Sequence, residues 1–189
     1  MPPLIEFPLA LLVVIAGICD IRTRRIPNWL VLPAIPLAFA LNAFLFAQPE
    51  YHSSAWTGLA HAAKGFGLAA LIYMPLYMLH GRGAGDVKLM AAVGALVGWQ
   101  DWLRIFFLSA LLGLVFAVLL MALHKRFRKT LDNTAYLISE IMHLRSPHHG
   151  SEELDVSSPK SFRLPHGAVI ALGTLALLGL RVFLPSTAG

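Results

Sequence analysis

Six apolar runs divide this chain, at about Leu4–Cys19, Trp29–Ala47, Trp56–Leu79, Val87–Val97, Trp102–Leu123 and Pro165–Leu184. Few folds accept such a pattern. A backbone surrounded by hydrocarbon must bond its own N–H and C=O groups, so a run that crosses a bilayer in one pass is a helix. Composition agrees: of 189 residues, 57% are hydrophobic and 13% charged, where a soluble domain carries about 25% charged residues. The sequence predicts an all-α polytopic membrane protein with six transmembrane helices, forming a single domain over residues 1–189. A span takes about 20 residues, with a lower limit near 17. The first run is slightly short, and by length alone the fourth fits a re-entrant or buried segment as well as a crossing.

Charge placement argues that the fourth run crosses. With the N-terminus outside and all six runs spanning, the inside loops hold Arg22, Arg24 and Arg25, then Arg82 and Lys88, then Lys125, Arg126, Arg128, Lys129, Arg145, Lys160 and Arg163. These are 12 of the 15 basic residues, leaving Lys64, Arg104 and Arg181 on the outer half or within spans. Were Val87–Val97 not to cross, the most basic loop would lie outside, against the positive-inside rule. The expected location is the cell inner (cytoplasmic) membrane, with both termini outside. The net charge of +5 then reports cytoplasmic loops in contact with membrane lipids rather than nucleic-acid binding. Lys64 reads as a residue that snorkels to the outer interface.

Cys19 is the single cysteine, so an internal disulfide and a multi-cysteine zinc site are excluded. Ahead of it there is no basic n-region, and Ile18-Cys19-Asp20 offers no small-residue cleavage site. Leu4–Cys19 therefore reads as a retained helix rather than a removable signal peptide. Residues 124–164 form the long polar segment, expected as a cytoplasmic loop between the fifth and sixth helices. Leu131, Ala135, Ile138 and Met142 recur there at helical spacing, which suits a stretch lying on the membrane surface. His143, His148 and His149 read as solvated loop residues, so no metal is expected. Gly167, Ala171, Gly173, Ala176 and Gly179 suggest close helix packing through small residues.

Gly83-Ala84-Gly85-Asp86 puts a carboxylate between two apolar runs. An acid at bilayer depth costs roughly 2.5–3.5 kcal/mol on insertion scales and marks a functional-site candidate. The glycines permit an irregular backbone ahead of a helix, tolerated at that depth only where it is buried in protein or lines a wet cavity. Asp20, at the end of the first run, is a second such acid. In the six-span topology both acids follow helices running inward, so they share the cytoplasmic face although 65 residues lie between them.

Two carboxylates at one depth are the minimal equipment of an aspartic protease. If they converge, both cannot ionise cheaply and the pair shares a proton. The ionised member then takes a proton from water while the protonated one polarises a peptide carbonyl, without covalent intermediate, metal or cofactor. Neighbouring Arg and Lys oppose this by favouring both ionised forms. Singly, each acid also has a plainer role: Asp20 as a solvated partner of Arg22 or Arg24, Asp86 as the cap of the fourth helix or the partner of Lys88. Those roles leave Arg82-Gly83-Ala84-Gly85 as a unit unexplained.

Asp20-x-Arg22 followed by Arg25-Ile26-Pro27-Asn28, together with Gly83-x-Gly85-Asp86-x-Lys88, resembles the type IV prepilin peptidases, membrane aspartic proteases of the GxGD type. Pro165-His166-Gly167 is similar to the family's Pro–aromatic–Gly element, with histidine in place of the aromatic residue. The similarity runs from Asp20 to about Gly179. It implies that Asp20 and Asp86 are the catalytic pair, with Gly83, Gly85, Lys88, Arg22, Pro27, Asn28, Pro165, His166 and Gly167 as supporting motif residues. His166 reads as a structural or substrate-contact residue rather than a proton carrier. The implied reaction is hydrolysis of the bond after a glycine in the basic leader of a pilin-like precursor. Long members of the family carry a cytoplasmic cysteine-motif insert and also methylate the new N-terminus. This chain lacks such an insert after its first helix and resembles the short members that serve Flp/Tad-type pili, so methyltransferase activity is not expected. The competing class is a non-enzymatic transport or assembly component. It accommodates buried charge, but it does not call for a second acid at the same depth in an Arg/Ile-Pro-Asn setting.

Overall fold

The computed structural model describes residues 3–78, 83–123 and 165–183. Every regular element among them is helical: α1 (Pro3–Thr23), α2 (Asn28–Phe46), a 3₁₀ turn (Pro49–Tyr51), α3 (Ala55–Met78), α4 (Ala84–Leu123) and α5 (His166–Phe183). Four of these helices are long and apolar enough to cross a membrane, and α5 is a shorter apolar helix. Large apolar side chains face outward along them, Phe7, Trp29, Trp56, Leu71, Met78 and Phe183 among them. Such a surface is stable only against lipid. The protein is an all-helical membrane protein. The chain forms two compact units, residues 1–112 with 165–189, and residues 113–164. The polar segment 124–164, with its surface-helix pattern and His143, His148 and His149, lies outside the described residues.

Local chemistry explains where the helices begin and end. Arg24 takes a left-handed conformation (φ 55°), and its N–H bonds the Asp20 carbonyl at 2.9 Å, an αL turn that closes α1. Thr23 Oγ1 reinforces the corner through the Cys19 and Arg25 carbonyls, at 2.8 and 3.2 Å. Pro27 (φ −72°, ψ 136°) sits at the N-cap of α2, where extended backbone leads naturally into a helix. Ser54 caps α3, its hydroxyl oxygen accepting from the Thr57 N–H at 3.4 Å. Pro8, Pro33, Pro36 and Pro75 lie inside helices, which membrane helices tolerate when neighbours satisfy the freed carbonyls.

The Ala84–Leu123 run is not straight. Gly98 breaks it with φ 75° and ψ 175°, backbone open essentially to glycine alone. Trp102 Nε1 donates to the Met90 carbonyl at 3.0 Å, although twelve residues span roughly 18 Å along a straight helix. The chain therefore doubles back at Gly98. Such a reversal orphans the last carbonyls of the first half, and side chains from two other helices meet them. Asn42 Nδ2 donates to Ala95 O at 3.0 Å and to Leu96 O at 3.1 Å. His61 Nε2 donates to Val97 O at 3.2 Å. A Cβ at Gly98 would collide with that imidazole.

Small residues let the helices close. Gly65 on α3 and Gly94 on α4 lie backbone to backbone, and a methyl on either would strike the other's carbonyl. α1 packs along α5, and α2 along α3. At the α1–α5 seam a Cβ on Gly17 would stand 3.0 Å from that of Ala171, and Gly173 faces Ser109 of α4. Gly179, by contrast, has nothing within 4 Å of its Cβ position among the described residues.

Candidate active site

Asp20 lies in the last turn of α1 and is 8% exposed. Its Oδ2 accepts a hydrogen bond from the Gly167 N–H at 2.7 Å, a contact spanning 147 positions of sequence. Gly167 is the second residue of α5, so its N–H has no partner within the helix, and the helix N-terminus favours a negative charge. A charge-assisted bond of this kind contributes about 1.5–3 kcal/mol. Pro165 prepares the end: its carbonyl accepts the Val169 N–H at 3.2 Å and closes the first turn. Gly167 allows the approach, because a Cβ there would stand 3.0 Å from Asp20 Cβ and 3.1 Å from Oδ2.

Asp86 occupies the first turn of α4 and is 9% exposed. Its N–H bonds the Gly83 carbonyl at 3.1 Å, so the helix is under way before the acid is reached. The expectation of irregular backbone at both motif glycines is thus corrected in its detail. Gly85 is helical, and among the described residues Gly98 is the positive-φ glycine. What Gly85 provides is proximity: a Cβ on it would lie 3.1 Å from Ile26 Cβ. Gly83 is exposed, and its Cβ position has Asp86 Oδ2 as nearest neighbour at 4.0 Å.

Two helix starts meet on one side chain, one carrying Asp86 and the other giving its amide to Asp20. Ile26 abuts Gly85, next to Asp86, and its Cδ1 comes within 3.1 Å of the Cβ position on Gly167, the residue bonded to Asp20. Beside this cluster, Lys88 Nζ donates to Asn28 Oδ1 at 3.0 Å and ties the start of α4 to the start of α2. Ile26 thus links Gly85, which adjoins Asp86, to Gly167, which bonds Asp20. His166 is half-buried at the first position of α5, Pro165 is half-buried beside it, and Arg22 is exposed on the last turn of α1.

Sequence reasoning passed over two things. Ile26 was visible only as a motif letter, because an isoleucine carries no chemistry to draw attention. Asp101 is a third buried acid, 8% exposed. It accepts from Arg104 Nη1 at 2.9 Å and from Arg181 Nη2. The Asp101-x-x-Arg104 spacing was a signal for the first of these pairs. Nothing local announces Arg181, 80 positions further on.

These features define a helical membrane protein with two buried carboxylates, one on and one bonded to helix starts that pack on Ile26. The model of the type IV leader peptidase family matches residues 7–118, and the chain belongs to that family. It is 30% identical over 113 residues to the prepilin leader peptidase/N-methyltransferase of Escherichia coli, covering 58% of this chain and 48% of the relative. It is 34% identical over 119 residues to the protein of the same name from Bacillus subtilis, covering 61% and 45%. With the leader peptidase HopD of Salmonella typhimurium, identity is 33% over 99 residues, covering 51% and 61%. The chain spans about half the length of the curated relatives it matches. No solved structure matches it.

Proposed function

We propose that the chain is a membrane aspartic endopeptidase that removes the basic leader of type IV pilin-like precursors, cutting after a glycine at the cytoplasmic membrane face. The observation that carries the reading is the convergence on Ile26 of two helix starts, one bearing buried Asp86 and the other giving its main-chain amide to buried Asp20. Family membership supports it. Asp20 and Asp86 are the catalytic pair. One carboxylate takes a proton from water, whose oxygen attacks the scissile carbonyl carbon. The other carboxyl donates a hydrogen bond to the carbonyl oxygen, and the tetrahedral species collapses as the C–N bond breaks and the amine nitrogen gains a proton. Gly85 and Gly167 let the acid-bearing turns close, Lys88 with Asn28 and Pro27 sets the start of α2, and Pro165 and His166 open α5. Gly83 and Arg22 flank the pair. This chemistry needs neither metal nor cofactor, and methyl transfer is not part of the proposal.

We further infer six crossings within one membrane domain over residues 1–189, both termini outside the inner membrane, and loop 124–164 in the cytoplasm beside membrane lipids. The reversal at Gly98 supports separate fourth and fifth crossings, and the distribution of Lys and Arg supports their direction. Two experiments test the reading. Purified protein mixed with a basic-leader pilin precursor should release the leader, and an uncleaved precursor under conditions where the fold is intact would overturn the activity. A reporter fused at Ser151 should register as cytoplasmic and one after Gly189 as external; an external signal at Ser151 would overturn the topology.

A further inference from the structure

Ile26 is held in place by everything around it. The left-handed turn at Arg24 and the bonds of Thr23 fix the corner after α1. Pro27 fixes the start of α2 one residue later. Between them the Ile26 side chain points inward and packs on the apolar core. Two helix starts come up against it, and both present glycine at the contact. Gly85 meets Cβ and Cγ1, with its Cβ position 3.1 and 3.6 Å away, and Gly167 meets Cδ1 at 3.1 Å. A β-branched side chain has few rotamers, so its breadth is a fixed length between the turn carrying Asp86 and the turn whose amide holds Asp20.

We propose that Ile26 is a positioning residue for the catalytic pair, a rigid apolar spacer whose width sets the separation of Asp20 and Asp86. The proposal rests on the peptidase reading. It explains why glycine stands at both contacts. A methyl on Gly85 pushes the turn carrying Asp86 outward, one on Gly167 pushes away the amide that holds Asp20, and a narrower residue at position 26 lets the two helix starts collapse inward. Either displacement reaches the acids directly, because Gly85 adjoins Asp86 and Gly167 bonds Asp20.

The test combines kinetics with a distance probe that needs no activity. Ile26→Val keeps the β-branch and should retain most of the turnover. Ile26→Ala should lower kcat by about 10- to 100-fold, the scale of a misplacement near 1 Å, with KM nearly unchanged. Ile26→Leu, of equal volume without the branch, should fall between them. In a Cys19→Ser background, the pair Ile26→Cys and Gly85→Cys should form a disulfide on mild oxidation, since the Cβ position at 85 lies 3.1 Å from Ile26 Cβ, slightly inside the roughly 3.5–4.5 Å that disulfides span. An Ile26→Ala variant with wild-type kcat, or one whose lost activity tracks only its folded fraction, overturns the positioning role while the peptidase reading stands. Failure of the 26–85 pair to cross-link overturns the geometry. A wild-type chain that cleaves no basic-leader precursor removes the peptidase reading, and the positioning role with it, even if the cross-link forms.

Discussion

Asp20 and Asp101 are equally buried, at 8% exposure each, yet they are held in opposite ways. Asp101 is pinned by two guanidinium groups, from Arg104 three residues along its own helix and from Arg181 on α5. Asp20 is held by a main-chain amide. Guanidinium groups engage the lone pairs of a carboxylate, which suits a clamp between helices. An amide orients the carboxylate and leaves its net charge in place. Burial alone does not mark a reactive acid in a membrane; the kind of partner separates the two. Both contacts fall on α5, at Gly167 and Arg181, roughly 21 Å apart along a 14-residue stretch. One helix thus carries an end that holds Asp20 and a clamped end.

The sharpest way to break the comparison is to neutralise each acid in turn. Asp20→Asn and Asp86→Asn should each cut precursor turnover by about 10³-fold or more, the upper range for acid–base groups, while the protein inserts and folds. Asp101→Asn should leave turnover per folded molecule nearly unchanged and lower stability instead. Removing one partner of a fully buried ion pair costs about 3–5 kcal/mol. The Arg181 side chain is 23% exposed and that of Arg104 63%, so the loss belongs at or below the bottom of that range. Turnover assays alongside thermal melts distinguish the outcomes. A stable Asp101→Asn protein without activity would make Asp101 part of the catalytic machinery and erase the distinction.

The next effects are smaller and run along α5 itself. Gly167→Ala sets a methyl 3.0 Å from Asp20 Cβ, and it should lower kcat by about 10- to 100-fold through displacement of the acid, with a modest change in Tm. Gly173→Ala, six residues towards the clamped end, drives its methyl into Ser109, whose backbone N and Cα lie 2.8 and 2.9 Å from the Cβ position. It should destabilise by about 1–3 kcal/mol as an overpacked contact, with turnover per folded molecule preserved. If both variants lost activity in proportion to Tm, the two ends of α5 would not be separable.

Much of this was legible beforehand, and particular residues show why. The acids at 20 and 86 and the glycines at 83, 85 and 167 lie in short motifs, and charge against an apolar background is a loud signal. The helices follow from hydrophobic run length, and the break between Val97 and Trp102 marked the place where the chain reverses. The role of Gly85 was only half legible, because sequence cannot tell a glycine needed for φ > 0 from one needed for a close neighbour. Ile26, Asn42 and His61 were silent. Their importance lies in what stands opposite: Gly85 and Gly167 for the first, and the carbonyls of 95–97 for the other two. Contacts across 36 to 147 positions leave no local trace in composition or periodicity.

The smallest effect should come from Gly179→Ala, and it tests whether the packing really loosens away from the Asp20 end. Gly179 shares α5 with Gly167 and Gly173 and looks equivalent to them in the sequence. Its Cβ position, however, meets nothing within 4 Å among the described residues. A methyl there meets no described protein atom. Alanine is favoured over glycine inside a helix by about 0.8–1 kcal/mol, and position 179 lies close enough to the end of α5 at Phe183 that only part of this gain is realised. For a chain of this size, half a kcal/mol corresponds to about 1–2 °C in Tm. The expected result is therefore wild-type turnover with Tm unchanged or slightly raised. A clear fall in either would mean that something covers Gly179 in the working protein. The clamped end of α5 would then be as closely packed as the Asp20 end, and Arg181 would not be needed to hold it.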